Sequence, residues 1–224
     1  MNIEIIRPGT LASPEQYFQH TERSKGPNCY SIVHFDLHSK VGPRRRGSEI
    51  KNAVVYFAHS RADGTKAEST LKLARILLRH GVPLVVLNAC ESARANYGDD
   101  ANIAKVLEKE GIKGVLAMSF KVSSTAASTF LSVLYDKFLM RGSSFLTAAA
   151  RARSILRSAA TRHARFSLEL PLHDWFVLIV YSFQEDIFVS RKQSNTLDSI
   201  PSRADAYYDS QDLMSFKDIC WMRF

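Results

Sequence analysis

Five short stretches in which apolar residues follow one another without alternation, "SIVHF", "AVVYFA", "PLVVLNA", "GVLAMSF" and "WFVLIVY", constrain the fold of this chain more than any other feature. Val, Ile, Leu and Phe on consecutive positions suit strands covered on both faces, the pattern of a central, largely parallel sheet. "IEIIRP" near the start is a weaker sixth candidate. The segments between the runs have the spacing of amphipathic helices. Residues 68–80 would bring Leu71, Ala74, Leu77 and Leu78 to one face, with Gly81 to stop the helix. Residues 100–110 form a second helical segment. In residues 125–140 the stripe is Phe130, Leu131, Leu134 and Phe138, with Gly142 after its end. Residues 144–161 are alanine-rich and carry Arg151, Arg153 and Arg157 along their length, as expected of a helix lying on a sheet surface. Strands alternating with helices predict a layered, doubly wound α/β fold.

The chain has 224 residues, 46% of them hydrophobic, which is ample for one large domain with or without an extension. Its 30 Lys and Arg against 22 Asp and Glu give a formal charge of +8, but the cations are scattered, so no specific nucleic-acid partner follows. Only Arg44, Arg45 and Arg46 form a compact run, read as a solvated loop. Cys29, Cys90 and Cys220 lie far apart with no CxxC spacing, which suggests neither a disulfide framework nor a cysteine zinc site and fits a reducing, cytoplasmic setting. No apolar run approaches the roughly 18 residues that cross a membrane, and no basic, then apolar, leader opens the chain. There is no G-x-x-x-x-G-K, G-x-G-x-x-G or G-x-S-x-G, so no cofactor is implied. After Val189 the sequence turns polar and aperiodic. Residues 1–190 are therefore expected to form the domain and 191–224 a polar tail or linker, whose aromatic end, "FKDICWMRF", docks on the domain or begins another element.

Two of the apolar runs deliver a reactive side chain where they stop: "YSIVHFDLHS" ends near His38 and "PLVVLNACES" near Cys90. In an open parallel sheet the carboxyl ends of the strands share one edge, and binding sites collect there. If the two strands are neighbours, the thiol and the imidazole emerge within reach of one another. Imidazolium favours thiolate, and histidine can then protonate a leaving amine, so the pair has the makings of a nucleophile and its acid/base partner. The residues alone leave other readings open: Cys90 as a small core residue, and His38 as a hydrogen-bonded histidine at a strand end. His34 shares a face with His38 by parity, but its mid-strand position favours packing. The H-x-x-x-H spacing raises a metal site only weakly, because Phe35 stands where H-E-x-x-H has Glu and no further ligand pair is evident. No metal is expected.

At this level of detail the sequence resembles the CHAT domains, caspase-like peptidases of the clan that includes separases and caspases. "IVHFDLHS" is similar to that family's strand ending in His-Gly, and "LVVLNACES" to its strand ending in Ala-Cys-Glu. "GIKGVLAMSFKVSSTAASTFLSVLYDKFLMRGSSFLTAAARARSIL" and "HDWFVLIVYS" resemble its later strand, helices and closing strand, so the likeness runs in order from about residue 3 to residue 189. "IEIIRPGT" and "HFDLH" look most like the fungal branch.

The resemblance implies a three-layer caspase-like fold, a mostly parallel central sheet flanked by helices. It also implies a cysteine endopeptidase in which Cys90 attacks a peptide carbonyl and His38 protonates the departing amine. Backbone N–H groups of Ser39 and Cys90 would form the oxyanion hole, with Ser39 standing where the family usually has Gly. By position, Asn88 would contribute to the pocket for the side chain preceding the scissile bond; it lacks the charge that an Asp there offers to a cation, and Asp36 and Glu91 are nearby acids. The implied partners are a protein or peptide substrate and regulatory domains or activator proteins outside this chain. The rival reading is a caspase-like module that binds partners without cutting them.

Overall fold

The computed structural model describes residues 3–7, 9–43, 51–58, 64–88, 102–120, 122–159, 161–163, 169–182, 187–190, 213–215 and 218–223. Its strands, in chain order, are β1 (Ile3–Ile6), β2 (Tyr30–Asp36), β3 (His38–Pro43), β4 (Lys51–Ala58), β5 (Thr65–Ser69), β6 (Leu84–Asn88), β7 (Gly114–Met118), β8 (Thr161–His163), β9 (Glu169–Pro171), β10 (Leu178–Ser182), β11 (Phe188–Ser190), β12 (Leu213–Ser215) and β13 (Asp218–Arg223). The helices are α1 (Ala12–Lys25), α2 (Thr70–Arg79), α3 (Ile103–Lys109), α4 (Ser124–Tyr135) and α5 (Phe145–Ser158).

Six strands form the central sheet in the order β1-β13-β2-β6-β7-β10, and every pairing is parallel except that of β10 with β7. Because side chains alternate across a strand, each central strand feeds two cores. Val33 and Phe35 of β2, Val85 and Leu87 of β6 and Val115 and Ala117 of β7 pack with Phe18 of α1, Leu73 and Leu77 of α2 and Leu107 of α3. Ile32, Leu84, Val86, Leu116 and Met118, from the opposite parity, pack with Phe130 and Leu134 of α4 and Ala148 and Ala152 of α5. The molecule is thus three layers with the sheet in the middle, as the uninterrupted apolar runs require.

One of those runs lies elsewhere. "AVVYFA" is part of β4, the middle strand of a separate antiparallel sheet ordered β3-β4-β5. There Val55 and Phe57 are fully buried in the first core while Val54, Tyr56 and Ala58 are half-buried, so the strand is sealed on one face and partly covered on the other. A run of consecutive apolar residues does not separate that situation from full burial.

The helices follow their expected positions with one change of face. In α2 the buried side is Thr70, Leu73, Ala74, Ile76 and Leu77, whereas Leu71 is exposed, so the stripe is rotated from the expected Leu71 and Leu78 line. Gly81 ends it at φ 60°, where another residue would be strained, and a Cβ there would fall 1.7 Å from Asn28 Oδ1 and displace that side chain. In α4 all of Phe130, Leu131 and Leu134 are buried, and the chain continues through a π-helical turn, Asp136–Met140, that buries Phe138. The Ser144 hydroxyl accepts from the Thr147 N–H to cap α5, and Arg153 donates to the Leu178 carbonyl at 2.6 and 2.9 Å, which fastens α5 to β10. Helix α1 is not expected from the sequence because its buried positions are Pro14, Phe18 and Thr21, a stripe with a single large apolar residue. Polar chemistry holds it instead: Glu4 of β1 accepts from Lys25 at 2.7 Å, Tyr17 at 3.1 Å and Tyr30 at 2.5 Å. Burial opposes ionisation of Glu4, but the bonds from Lys25, Tyr30 and Tyr17 outweigh it and hold the carboxyl below its usual range.

Within residues 191–224, β12 pairs with β11, and β13 runs between β1 and β2 in the central sheet. The expected boundary at residue 190 therefore does not coincide with the edge of the sheet, because "DICWMR" supplies one of its inner strands.

Candidate functional site

The sequence places His38 and Cys90 after two strands, and those strands, β2 and β6, are parallel neighbours. Their register ends on Asp36 beside Asn88, and the Asn88 amide donates to Asp36 Oδ1 at 3.0 Å. The Leu37 N–H donates to the Asn88 carbonyl at 3.4 Å, extending the ladder by one step. His38 is two residues beyond Asp36, and Cys90 two residues beyond Asn88, so both follow the same registered pair by the same interval. The backbones of His38 and Ser39 open β3, paired with Tyr56 and Val55 of β4. Ser39 therefore sits in extended backbone, which serine adopts without strain. Cys90 and Glu91 lie outside the described residues, as do Arg44, Arg45 and Arg46.

A cavity of ≈ 800 Å³ opens at this edge. Asp36, Asn88 and Met118 form its base, all from strand ends and all of the parity that faces α4. Ser124, Ser128, Leu131, Ser132 and Tyr135 form the α4 wall, and Ile5, Arg7 and Leu37 close the side toward β1. The spacing of the α4 residues, three or four apart, puts them on one helical face. The site thus offers a polar pair near the strand ends and an apolar and hydroxyl-bearing wall opposite.

Beneath the cavity His34 is fully buried, and its Nδ1 is 2.7 Å from the Tyr135 hydroxyl. Burial lowers the His34 pKa to about 3 and pushes the Tyr135 hydroxyl well above its ordinary value, so both are neutral across the physiological range. A permanently neutral imidazole tied to α4 is a packing group, as its mid-strand place suggests. Tyr135 is the last residue of α4 before the π-helical turn, and it joins this buried bond to the cavity wall. The sequence reading omits it, although it follows Leu131 by one helical turn on the flank of the apolar stripe. Arg7, Met118 and the serines of α4 carry no comparable signal, since only the packing of α4 over the strand ends turns them toward one space.

Cys29 is buried before β2, and desolvation raises its thiol pKa, the opposite of what a nucleophile needs. Among the described residues no cluster of three or more His, Cys, Asp or Glu is placed to hold a metal ion, and no helix is long and apolar enough to cross a membrane.

No curated protein matches this chain. The family model of the CHAT domain matches residues 14–195, which takes in every strand of the central sheet except β1 and β13 and all the helices but the first two residues of α1. With a mostly parallel sheet between two helical layers and a cavity at its carboxyl edge, the chain belongs to the CHAT domain family, whose architecture is caspase-like.

Proposed function

We propose that the protein is a cysteine endopeptidase acting on a protein or peptide substrate, with Cys90 as nucleophile and His38 as acid/base partner. The observation that carries this reading is the parallel pairing of β2 with β6 and its end on Asp36 and Asn88, two residues before each member of the dyad. Thiolate attack on the peptide carbonyl forms the new S–C bond. As the intermediate collapses, the C–N bond breaks and His38 gives its proton to the amine; water then releases the acyl group. The N–H groups of Ser39 and Cys90 hold the oxyanion, the service that usually contributes the largest electrostatic share. The extended backbone of Ser39 supports serine in this position. The cavity beside Asp36 and Asn88 takes the side chain preceding the scissile bond, and Glu91, next after the nucleophile in the sequence, is proposed as a further acid for that pocket. We place the enzyme in the cytoplasm, as a cell-death or defence effector held by regulatory domains or activators outside this chain.

The second reading, a catalytically impaired module for protein interaction, is favoured by one departure, Ser39 in place of the family's usual Gly. A peptide library capped with a thiol-directed electrophile separates the two. The peptidase predicts labelling that is lost in Cys90→Ala and falls by about a hundredfold or more in His38→Ala. It also predicts that Ser39→Gly changes turnover by less than about tenfold, since a misplaced oxyanion donor would cost about a hundredfold. No labelling of the wild type, with the activator-bearing parent protein as control, supports the binding module.

A further inference from the structure

The cavity wall toward the sheet's edge comes from two strands that do not touch. Ile5 lies on β1 and Arg7 just after it, Asp36 and Leu37 lie at the end of β2, and β13 runs between the two strands, parallel to both. The register places Met222 beside Ile6 on one side and Phe35 on the other, and Arg223 beside Asp36, the cavity's carboxylate. Neighbouring strands stand about 4.8 Å apart, so β13 holds β1 and β2 about 10 Å from each other. At the far end of these strands the span is also bridged by side chains, the Tyr30 hydroxyl donating to Glu4 at 2.5 Å. At the cavity end the link described is the backbone of β13 itself. This strand lies outside residues 14–195, the part that matches the CHAT family, and is joined to β11 through residues 191–212 and β12.

We propose that Asp218–Arg223 is a positioning element of the candidate site: it spaces β1 from β2, keeps the wall of Ile5 and Arg7 set back from Asp36, and so makes peptide binding depend on a segment beyond the family-matched span. The proposal rests on the peptidase reading for its substrate, an extended peptide, but not for its geometry. With β13 withdrawn, β1 and β2 each face an unpaired edge. Either β1 closes on β2 by one strand spacing and narrows the cavity, or β1 detaches and the wall is lost.

The test uses the full chain carrying Met222→Pro, which removes a ladder N–H at the cavity end of β13. Amide exchange within residues 3–7 and at Asp36, whose N–H alternates with that of Leu37 and so faces β13, is expected to rise by about tenfold or more while Leu37, bonded to Asn88, and β6 and β7 stay protected. Labelling of Cys90 by a peptide electrophile should fall by about a hundredfold, and labelling by iodoacetamide, which needs no cavity, should stay within about threefold of wild type. Adding a synthetic peptide of residues 213–224 should restore the first without changing the second. Exchange that rises in residues 3–7 with Asp36 and peptide labelling unchanged overturns the proposal. If the proline chain does not fold by circular dichroism, Met222→Gly, which keeps the N–H but weakens the strand, is read in the same way. If the wild type takes no peptide electrophile, the peptidase reading fails on its own, and unchanged exchange at Asp36 in the variant then overturns this one.

Discussion

His34 shows how one buried residue couples the site's foundations to pH. In the unfolded chain its pKa is near 6.5, and in the fold burial lowers it to about 3. Below pH 6.5 the unfolded chain therefore binds a proton that the native chain cannot, so stability falls as pH drops and the loss is complete near pH 3. The slope from this one group approaches about 1.4 kcal/mol per pH unit. Urea unfolding between pH 7 and 5 should show that decline in the wild type and a flatter profile in His34→Gln. Glu4 acts in the same direction, but its carboxyl is held below 4.5, so its stability is lost only at lower pH and leaves this window clear. An unchanged slope in the variant would mean that His34 is not the buried neutral group described.

At the scale of elements, the start of β7 is a close packing point. A Cβ on Gly114, the first residue of β7, would lie 2.6 Å from Leu84 Cδ2 and 3.1 Å from Ile187 Cδ1, so a side chain there requires Leu84 to shift and Ile187 to give. Overpacking of this kind costs about 1–3 kcal/mol. Gly114→Ala should therefore lower the unfolding free energy by that amount, read as a lower urea midpoint at unchanged slope, whereas a neutral result would show that Leu84 and Ile187 yield freely. The same element-level view explains the rotated face of α2: its helical period is plain in the sequence, but Leu71, Leu73, Leu77 and Leu78 leave several stripes open. Only the packing of the helix into the first core, shared with β2, β4 and β6, selected Leu73 and Leu77.

At the scale of the whole molecule, the sheet belongs to both cores, because alternate residues of β2, β6 and β7 pack on opposite helical layers. Losing either layer strips one face of the same strands, so the two should unfold together even in a chain of this size. Far-UV circular dichroism and near-UV aromatic signals are expected to give coincident transitions in urea; separated midpoints would show that one layer is a distinct cooperative unit.

The sequence by itself determined the layered α/β class, most of the central strands, four of the helices and the two chain positions on which the chemistry is proposed. Those features are local: uninterrupted apolar runs, a 3.6-residue period, and a reactive residue just past a strand end all read along the chain. What only the tertiary structure decided is which elements meet. It made β2 and β6 neighbours, ended their register on Asp36 and Asn88, and turned α4 so that Tyr135 and the serines face those strand ends. It sent "AVVYFA" to a separate antiparallel sheet and brought residues 218–223 back between β1 and β2. The physical reason is the same in each case: pairing and packing join residues far apart in the chain, and their partners are chosen by the surface left to be covered, which no single segment records.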